Sequence, residues 1–342
     1  MSTDTQASAP GAAETTPPPR GRKRFPRTWQ VTKIVTTSML TLFVISLLAF
    51  FATNLKSPED VARAALGRET AEPALIAYAE ERGLYDPMPI RYARWLGDFA
   101  TGDMGVSLTT QRPVADDVLP RLRNTLILAV ASLVIALPVS IGLGVFMARR
   151  AGSRTDLSML VGTVILASLP EFIIGVALIL IFGVWLGWLP VDSTGLQFGD
   201  AMAKVGAFVL PVLTLVLAML PHISRIARAS ATEALGAPYV AAARLRGLGG
   251  MRVTWDHAMR NAAPPLVNAV ALNVVYLLGG VIVVEQLFAL PGIGQLYIAS
   301  IGAGDYPAVL SITMILGIMF IGVSVLADVL VTIFNPRLRA AS

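Results

Sequence analysis

The sequence predicts an all-α membrane protein with six transmembrane helices, and three observations lead to that fold class. Of its 342 residues, 55% are hydrophobic and only 14% are charged, whereas a soluble domain carries about 25% charged residues. Six apolar runs are each long enough to cross a bilayer, which takes about 20 helical residues. Basic residues concentrate between alternate runs, as expected because short cytoplasmic loops retain positive charge.

The N-terminal third is predicted to hold a tail, one span and a cap. Residues 1–30 are rich in Ala, Thr and Pro and then basic, which is typical of a disordered cytoplasmic tail. Residues 31–53 are interpreted as transmembrane helix 1, since no small-residue cleavage site follows them. Residues 54–123 mix acids with bases, and Pro73 can open a helix there that Gly83 closes. We expect an extracytoplasmic cap that shields helix ends, docks a partner or guides a solute.

Residues 124–334 are predicted to contain transmembrane helices 2–6 and the cytoplasmic loop 224–264, followed by a cytoplasmic tail, 335–342. The five apolar runs are 124–148, 157–189, 203–223, 265–288 and 306–334. Outside the cap, every Lys and Arg except Lys204 lies on the side assigned to the cytoplasm, so both termini are predicted to be cytoplasmic. Pro138, Pro170 and Pro211 interrupt spans and are interpreted as simple kinks.

Composition and missing motifs exclude several kinds of site. The chain has no cysteine, so it can form neither a disulfide nor a thiolate metal site. Its net charge of +5 follows the membrane pattern and does not indicate nucleic acid binding. His222 and His257 fall at predicted helix ends, and zinc would need three or four ligands. A phosphate-binding loop and the hydrolase motifs are absent from the sequence, so we expect no catalytic, cofactor or metal site.

Polar residues inside the predicted spans are candidates for a solute pathway, because ionisable groups in a bilayer usually face a cavity. Glu171 lies about 20 Å from the inner end of its predicted helix. It either faces a cationic group such as an amine, or bonds backbone freed by Pro170, or is held protonated. Asn268 and Asn273 either line a pathway or hydrogen-bond between helices.

The run "EQLFALPGIG" at the outer end of the fifth span is predicted to shape an outer gate, with a plain loop as the alternative. Its glycines would allow a tight or re-entrant turn. The gate candidates are Glu285, Pro291, Gly292 and Gly294.

The cytoplasmic loop contains a predicted helix of about ten residues. Pro238 suits its first turn, and Gly247 suits the position just past its end. Tyr239, Val240 and Ala243 fall on one stripe by helical spacing. The residues expected to present this helix to another protein are Pro238, Tyr239, Ala243, Arg244, Arg246 and Gly247.

The run "EALGAPYVAAARLRGLGGMRVTWDHAMRNAAPP" resembles the cytoplasmic loop of ABC-transporter permeases, in the branch that imports dipeptides, oligopeptides and nickel. Ala241 replaces a glutamate of the wider family, and Pro238 stands where this branch often has an acid. The matching residues are Tyr239, Ala243, Arg244, Arg246, Gly247, Leu248, His257, Ala258, Arg260, Asn261, Ala262 and Pro265.

Other runs resemble the same branch in the same order. They are "GDMGVSL" (102–108), "RPVADDVLPRLRNTL" (112–126), "EQLFALPGIGQL" (285–296), "DYPAV" (305–309) and "DVLVTIFNPRLR" (328–339). The resemblance implies a type I ABC importer permease, whose loop helix is a coupling helix that seats in a cleft of a cytoplasmic ATPase.

The resemblance also implies partners and a function. The partners would be a homologous second permease, two ATP-binding subunits that hold ATP and Mg, an extracytoplasmic solute-binding protein and membrane lipid. The function would be ATP-driven import of peptides across the cytoplasmic membrane of a bacterium. Import of a nickel chelate or another small solute is the alternative, and a stand-alone secondary transporter, a channel or a membrane enzyme are further rivals.

Overall fold

A computed structural model of the protein describes residues 27–54, 57–67, 69–193, 196 and 201–334. Within these ranges the regular elements are all helices, which confirms the predicted all-α class. Apart from residues 27–30, which are helical, both predicted tails lie outside the described residues.

The helices are numbered along the chain. The first half contains α1 (Arg27–Thr53), α2 (Pro58–Leu66), α3 (Glu72–Glu81), α4 (Met88–Ala100), α5 (Val114–Arg149), α6 (Arg154–Ala167) and α7 (Glu171–Leu178), which continues in π-helical turns over Ile179–Trp185. The second half contains α8 (Ala201–Leu235), α9 (Pro238–Leu245), α10 (Gly250–Arg252), the π-helical segment Val253–Met259, α11 (Arg260–Leu287), α12 (Ile293–Ala303) and α13 (Tyr306–Phe334).

Each of the six predicted spans has a counterpart in the structure. Five helices are long and apolar enough to cross a membrane, and the bent pair α6 and α7 passes the same test when its two helices are counted as one span, which gives six. Helix α5 begins at Val114 rather than at residue 124, and α8 continues to Leu235 rather than ending at residue 223. Hydropathy reports only the apolar part of a helix, so it misses polar turns that extend beyond the hydrocarbon layer.

The third predicted span is broken at Pro170, and the expectation of a simple kink there is wrong. Helices α6 and α7 meet at an angle of 102°. Pro170 has an extended ψ of 146°, has no N–H to continue the helix, and disfavours helical geometry at the residue before it. Pro138 and Pro211, by contrast, lie inside the continuous helices α5 and α8.

The cap predicted between the first two spans contains α2, α3 and α4. Pro73 lies in the first turn of α3, and Gly83 follows its end with a positive φ of 60°, as predicted. Helix α4 lies against the outer end of α1, where the Phe50 ring centroid is 5.4 Å from that of Tyr92 and 5.7 Å from that of Trp95. These ring contacts attach the cap to the first span.

The main core lies where α5 crosses α8, with α7 and α11 packed beside them. The two helices approach closely at Gly144, where an added Cβ would lie 2.5 Å from both Ala227 Cβ and the Ser224 carbonyl oxygen. Small residues permit such approach in membranes, where packing rather than water exclusion drives helix association.

We predict that Gly144→Ala destabilises the protein by about 1–3 kcal/mol, because the added methyl group meets backbone atoms that cannot move aside. Gly142→Ala is the matched control, since nothing lies within 4 Å of its added Cβ. Thermal unfolding in detergent would measure both variants. Equal midpoints for the two variants would contradict the close α5–α8 crossing.

Candidate functional site

Helix α9 is held on the rest of the protein by one buried face. Pro238 occupies its first turn, and Gly247 has a positive φ of 80° just past its end, as the sequence predicted. Val240 and Ala243 are buried and α9 packs against Val253–Met259. The helix is therefore seated on the segment that leads directly into α11.

The opposite face of α9 is exposed and carries both apolar and basic side chains. Leu245 is 91% exposed, and Arg244 and Arg246 beside it are exposed as well. Tyr239 is also exposed, whereas Val240 and Ala243, which helical spacing places on the same stripe, are buried.

Two further apolar side chains, Met251 and Trp255, are exposed close to α9 in the sequence. Sequence reasoning missed Leu245, Met251 and Trp255; an isolated large apolar residue between two arginines was the available signal for Leu245. Exposed apolar side chains together with arginines are typical of surfaces that bind another protein.

A largely buried ion pair joins the start of α6 to α8. Arg228 donates to both carboxyl oxygens of Asp156 at 2.6 Å, and Asp156 also accepts the N–H of Gly152 at 3.0 Å. Ser153 caps α6 by accepting the N–H of Asp156. Two-pronged pairing of a guanidinium with a carboxylate fixes orientation as well as distance, so this pair sets the direction in which α6 begins relative to α8.

Glu285 ties three helices together near the C-terminal end of α11. It is fully buried, and its Oε2 accepts the N–H groups of Gly294 at 2.8 Å and Gln295 at 3.2 Å. Its Oε1 lies 2.6 Å from the Thr125 hydroxyl of α5, which in turn accepts the N–H of Ile293. The first N–H groups of a helix have no partner within it, and here Glu285 and Thr125 satisfy those of α12.

The glycines beside Glu285 make room for its carboxyl group and are not required by an unusual backbone conformation. Gly292 has an ordinary φ of −109°, so the expected conformational role does not apply to it. An added Cβ at Gly292 would overlap the Glu285 carboxyl group, and one at Gly294 would lie 2.9 Å from Glu285 Oε2. The Pro291 carbonyl accepts the Asn124 side chain at 2.9 Å. All four predicted gate residues are thus brought together in one joint.

A second polar joint attaches the segment before α5 to the start of α13. Asp305 is buried; its carboxyl group accepts the Ser107 hydroxyl and the N–H of Leu108, the latter at 3.1 Å. Ser311 donates to the Met104 carbonyl at 2.9 Å. The runs 102–108 and 305–309 are therefore in direct contact, although nearly 200 residues separate Ser107 from Asp305.

Glu171 lies at the first position of α7, at the break in the third span. It is partly exposed, and its Oε2 lies 3.4 Å from the Tyr276 hydroxyl of α11. Tyr276 was not predicted as a site residue, because its aromatic ring alone is equally typical of packing. The described partner of Glu171 is this side chain and not backbone freed by Pro170.

The remaining polar candidates differ in exposure and in hydrogen bonding. Asn268 is exposed, whereas Asn273 is buried and donates to the Ala269 carbonyl of its own helix at 2.8 Å. His222 is exposed, and the Nδ1 atom of His257 is buried. In the part of the chain that the structure describes, no group of three or more His, Asp or Glu residues could hold a metal ion.

We predict that Glu285→Ala lowers the free energy of unfolding by about 3 kcal/mol, because it leaves two amide N–H groups of α12 buried without an acceptor. The adjacent Gln286→Ala is the matched control, since Gln286 is exposed. Chemical unfolding in detergent would measure both. Equal stabilities would contradict a structural role for the joint.

We also predict that Asp305→Ala increases the rate of amide hydrogen exchange over residues 102–112 at least about tenfold. The substitution removes the hydrogen bonds from Ser107 and Leu108, and a tenfold rate increase requires a loss of only about 1.4 kcal/mol. Asp103→Ala is the control, because its carboxyl group bonds only within the segment, to the N–H of Gly105. Unchanged exchange in Asp305→Ala would show that other contacts hold the segment.

Comparison with known proteins gives the family. Residues 140–340 match the model of the binding-protein-dependent transport system inner membrane component, and residues 29–129 match the model of the N-terminal region of such membrane components. Together the matches cover most of the chain.

Named relatives extend over nearly the whole sequence. The oligopeptide transport system permease protein AppB of Bacillus subtilis is 33% identical over 77% of this chain and 84% of its own length. The probable peptide ABC transporter permease protein y4tP of Sinorhizobium fredii is 30% identical over 90% of this chain and 97% of its length. The glutathione transport system permease protein GsiC of Escherichia coli is 33% identical over 87% of this chain and 95% of its own length. The chain therefore belongs to the inner membrane components of binding-protein-dependent ABC transport systems, and it is a transport permease rather than an enzyme.

Proposed function

We propose that this chain is the permease subunit of an ATP-driven importer that carries peptides across the cytoplasmic membrane of a bacterium. The observation that carries the proposal is that relatives matching most of the chain are named for oligopeptide, peptide and glutathione transport. A nickel chelate or another small solute remains the alternative, because the permease architecture alone does not select the solute.

The proposed partners are a homologous second permease, two ATP-binding subunits that hold ATP and Mg, and an extracytoplasmic solute-binding protein. Both termini and α9 would lie on the cytoplasmic side, and α2 to α4 would form the extracytoplasmic cap. The placement of basic residues supports this orientation, and the family description supports a binding protein as a partner.

Helix α9 is proposed to be the coupling helix. Its exposed Leu245 and flanking arginines would enter a cleft of the ATPase, while Val240 and Ala243 hold it on Val253–Met259. Displacement of α9 would then be passed to α11, which follows that segment without a loop. Such a shift requires that the ATPase bind two conformations of the permease with different affinity.

The joint around Glu285 is proposed to shape the outer gate. Because it links α5, α11 and α12 through buried hydrogen bonds, these three helix ends would move together when the path opens. Asn268 and Glu171 are proposed to line the path, whereas Asn273 is occupied by a bond within α11.

The complete transporter, purified with its ATPase and binding protein and reconstituted in lipid vesicles, would test the function. We expect ATP-dependent accumulation of labelled dipeptides and oligopeptides. Accumulation of a nickel chelate without any peptide would contradict the proposed solute. Peptide uptake by this chain alone without ATP would instead support a stand-alone transporter.

We predict that Leu245→Glu lowers ATP-dependent uptake at least about tenfold, since loss of a central apolar anchor costs more than 1 kcal/mol of binding. The control is Leu66→Glu in the cap, where another exposed leucine lies far from α9 in sequence. Uptake and binding of the ATP-binding subunits would both be measured. Normal uptake in Leu245→Glu would contradict the coupling role of α9.

A further inference from the structure

Two carboxyl groups in the spans, Glu171 and Glu285, have opposite surroundings. Glu285 is 0% exposed and accepts hydrogen bonds from backbone and side-chain donors. Glu171 is partly exposed, and its described contact is the Tyr276 hydroxyl at 3.4 Å, which is long for an O–H to oxygen bond. The chain thus satisfies one acid fully and leaves the other with unused acceptor capacity.

The position of this second acid disfavours contact of its charged form with lipid. Tyr276 lies about 16 Å from the C-terminal end of α11, which places the Glu171–Tyr276 pair well inside a hydrocarbon layer about 30 Å thick. Residues 155–203 and 261–336 contain no Lys or Arg, and Arg260 begins α11 about 24 Å along the helix from Tyr276, so neither α7 nor α11 offers a basic partner at this depth. A carboxylate facing lipid here would be costly, which favours a cavity or another chain as its surroundings.

One stripe of α11 beside this pair is uncovered. Its exposed members recur every three or four residues, which places them on a single helix face; they are Asn268, Leu272, Tyr276, Gly279 and Val283. Gly280 next to the stripe lies close to the acid, since an added Cβ there would be 3.8 Å from Glu171 Oε1. Because Glu171 is itself partly exposed and Tyr276 is exposed, the carboxyl group is accessible from the uncovered side of α11.

We propose that Glu171 and Tyr276 form a subsite for the protonated amino group of the transported solute. This inference rests on the proposed import function and names the solute group that the path recognises. A primary ammonium has three donors, which Glu171 can accept, and a positive charge that the face of an aromatic ring attracts. The Tyr276 side chain, 59% exposed, presents its ring beside the carboxyl group.

The geometry of the pair suits both the empty and the solute-bound state of the subsite. In the absence of solute, the Tyr276 hydroxyl partly satisfies Glu171, which limits the cost of the empty site. An arriving ammonium replaces this long hydrogen bond with stronger charge-assisted bonds. The pair lies at the break between α6 and α7. The solute would therefore contact the N-terminal end of α7, which would line the proposed path.

The test compares two peptides in vesicles containing the complete transporter and its binding protein. One is a labelled tripeptide with a free amino terminus, and the other is the same tripeptide acetylated there. Uptake of each is divided by its occupancy of the binding protein, so selection by that protein is removed. We expect Glu171→Gln to lower uptake of the free-amine peptide at least about tenfold, the loss of about 1.4 kcal/mol, and to leave the acetylated peptide unchanged.

Two further variants make the result decisive. Tyr276→Leu should lower uptake of the free-amine peptide by a smaller factor and again spare the acetylated one. Glu72→Gln, at an exposed acid in the first turn of α3, should change neither. Complex yield and ATP hydrolysis measured alongside show whether each variant assembles.

Three outcomes would overturn the subsite. These are an equal loss for both peptides, no loss for either, or loss of the second permease from the complex in Glu171→Gln, which would make this face a subunit contact. Failure of the wild-type transporter to accumulate either peptide would contradict the peptide importer itself, and the subsite would fall with it.

Discussion

The structure depends on one constraint, which is that a hydrocarbon layer offers no hydrogen-bond partners. A polar group that enters the layer is stabilised by a partner within the protein. Several hydroxyl groups in the spans bond a carbonyl one turn back, as Thr214 does to Leu210 at 2.9 Å and Thr163 to Leu160 at 2.7 Å, whereas the buried hydroxyl groups of Ser132 and Ser140 in α5 have no such partner among the described residues. Glu285 finds its partners between helices, and in doing so it turns a local requirement into a joint between α5, α11 and α12.

Polar contacts between distant elements and close helix packing occur together in this fold. Glu285 and Asp305 each join elements that are distant in sequence, and Asp156 and Arg228 join α6 to α8. Ala227, which precedes Arg228 in the chain, lies against Gly144 where α5 crosses α8. The α6–α8 ion pair and the α5–α8 crossing are therefore adjacent, so α8 is held to both neighbours at the same level.

Local sequence signals predicted the elements well. Hydropathy located all six spans, and Pro238 with Gly247 bounded α9, because each signal acts through the residue's own backbone. The break at Pro170 could not be predicted in the same way. A proline in a membrane helix either kinks or breaks it, and neighbouring packing decides which; Gly175 in the turn after the break packs against Leu287 and Thr214.

The candidate site was less predictable, since its contacts join distant residues. Nothing local to Gly292 indicates that it makes room for the Glu285 carboxyl group, and Thr125 and Tyr276 have no feature that predicts their partners. The exposed residues Leu245, Met251 and Trp255 were missed for a different reason. Exposure of Leu245 depends on which face of α9 is buried, and helical spacing groups residues on a stripe without showing whether the stripe is covered.

The runs of sequence that resemble the family contact one another in pairs in the fold. The runs 102–108 and 305–309 contact each other through Ser107 and Asp305, and the runs 112–126 and 285–296 do so through Thr125 and Glu285. Each pair forms one joint, so neither member can perform its structural role without the other. Glu171 and Tyr276 lie outside all of these runs. A scaffold shared by importers of different solutes needs its joints in common but not its solute contacts, so the proposed subsite of Glu171 and Tyr276 would let solute recognition vary without loosening the scaffold.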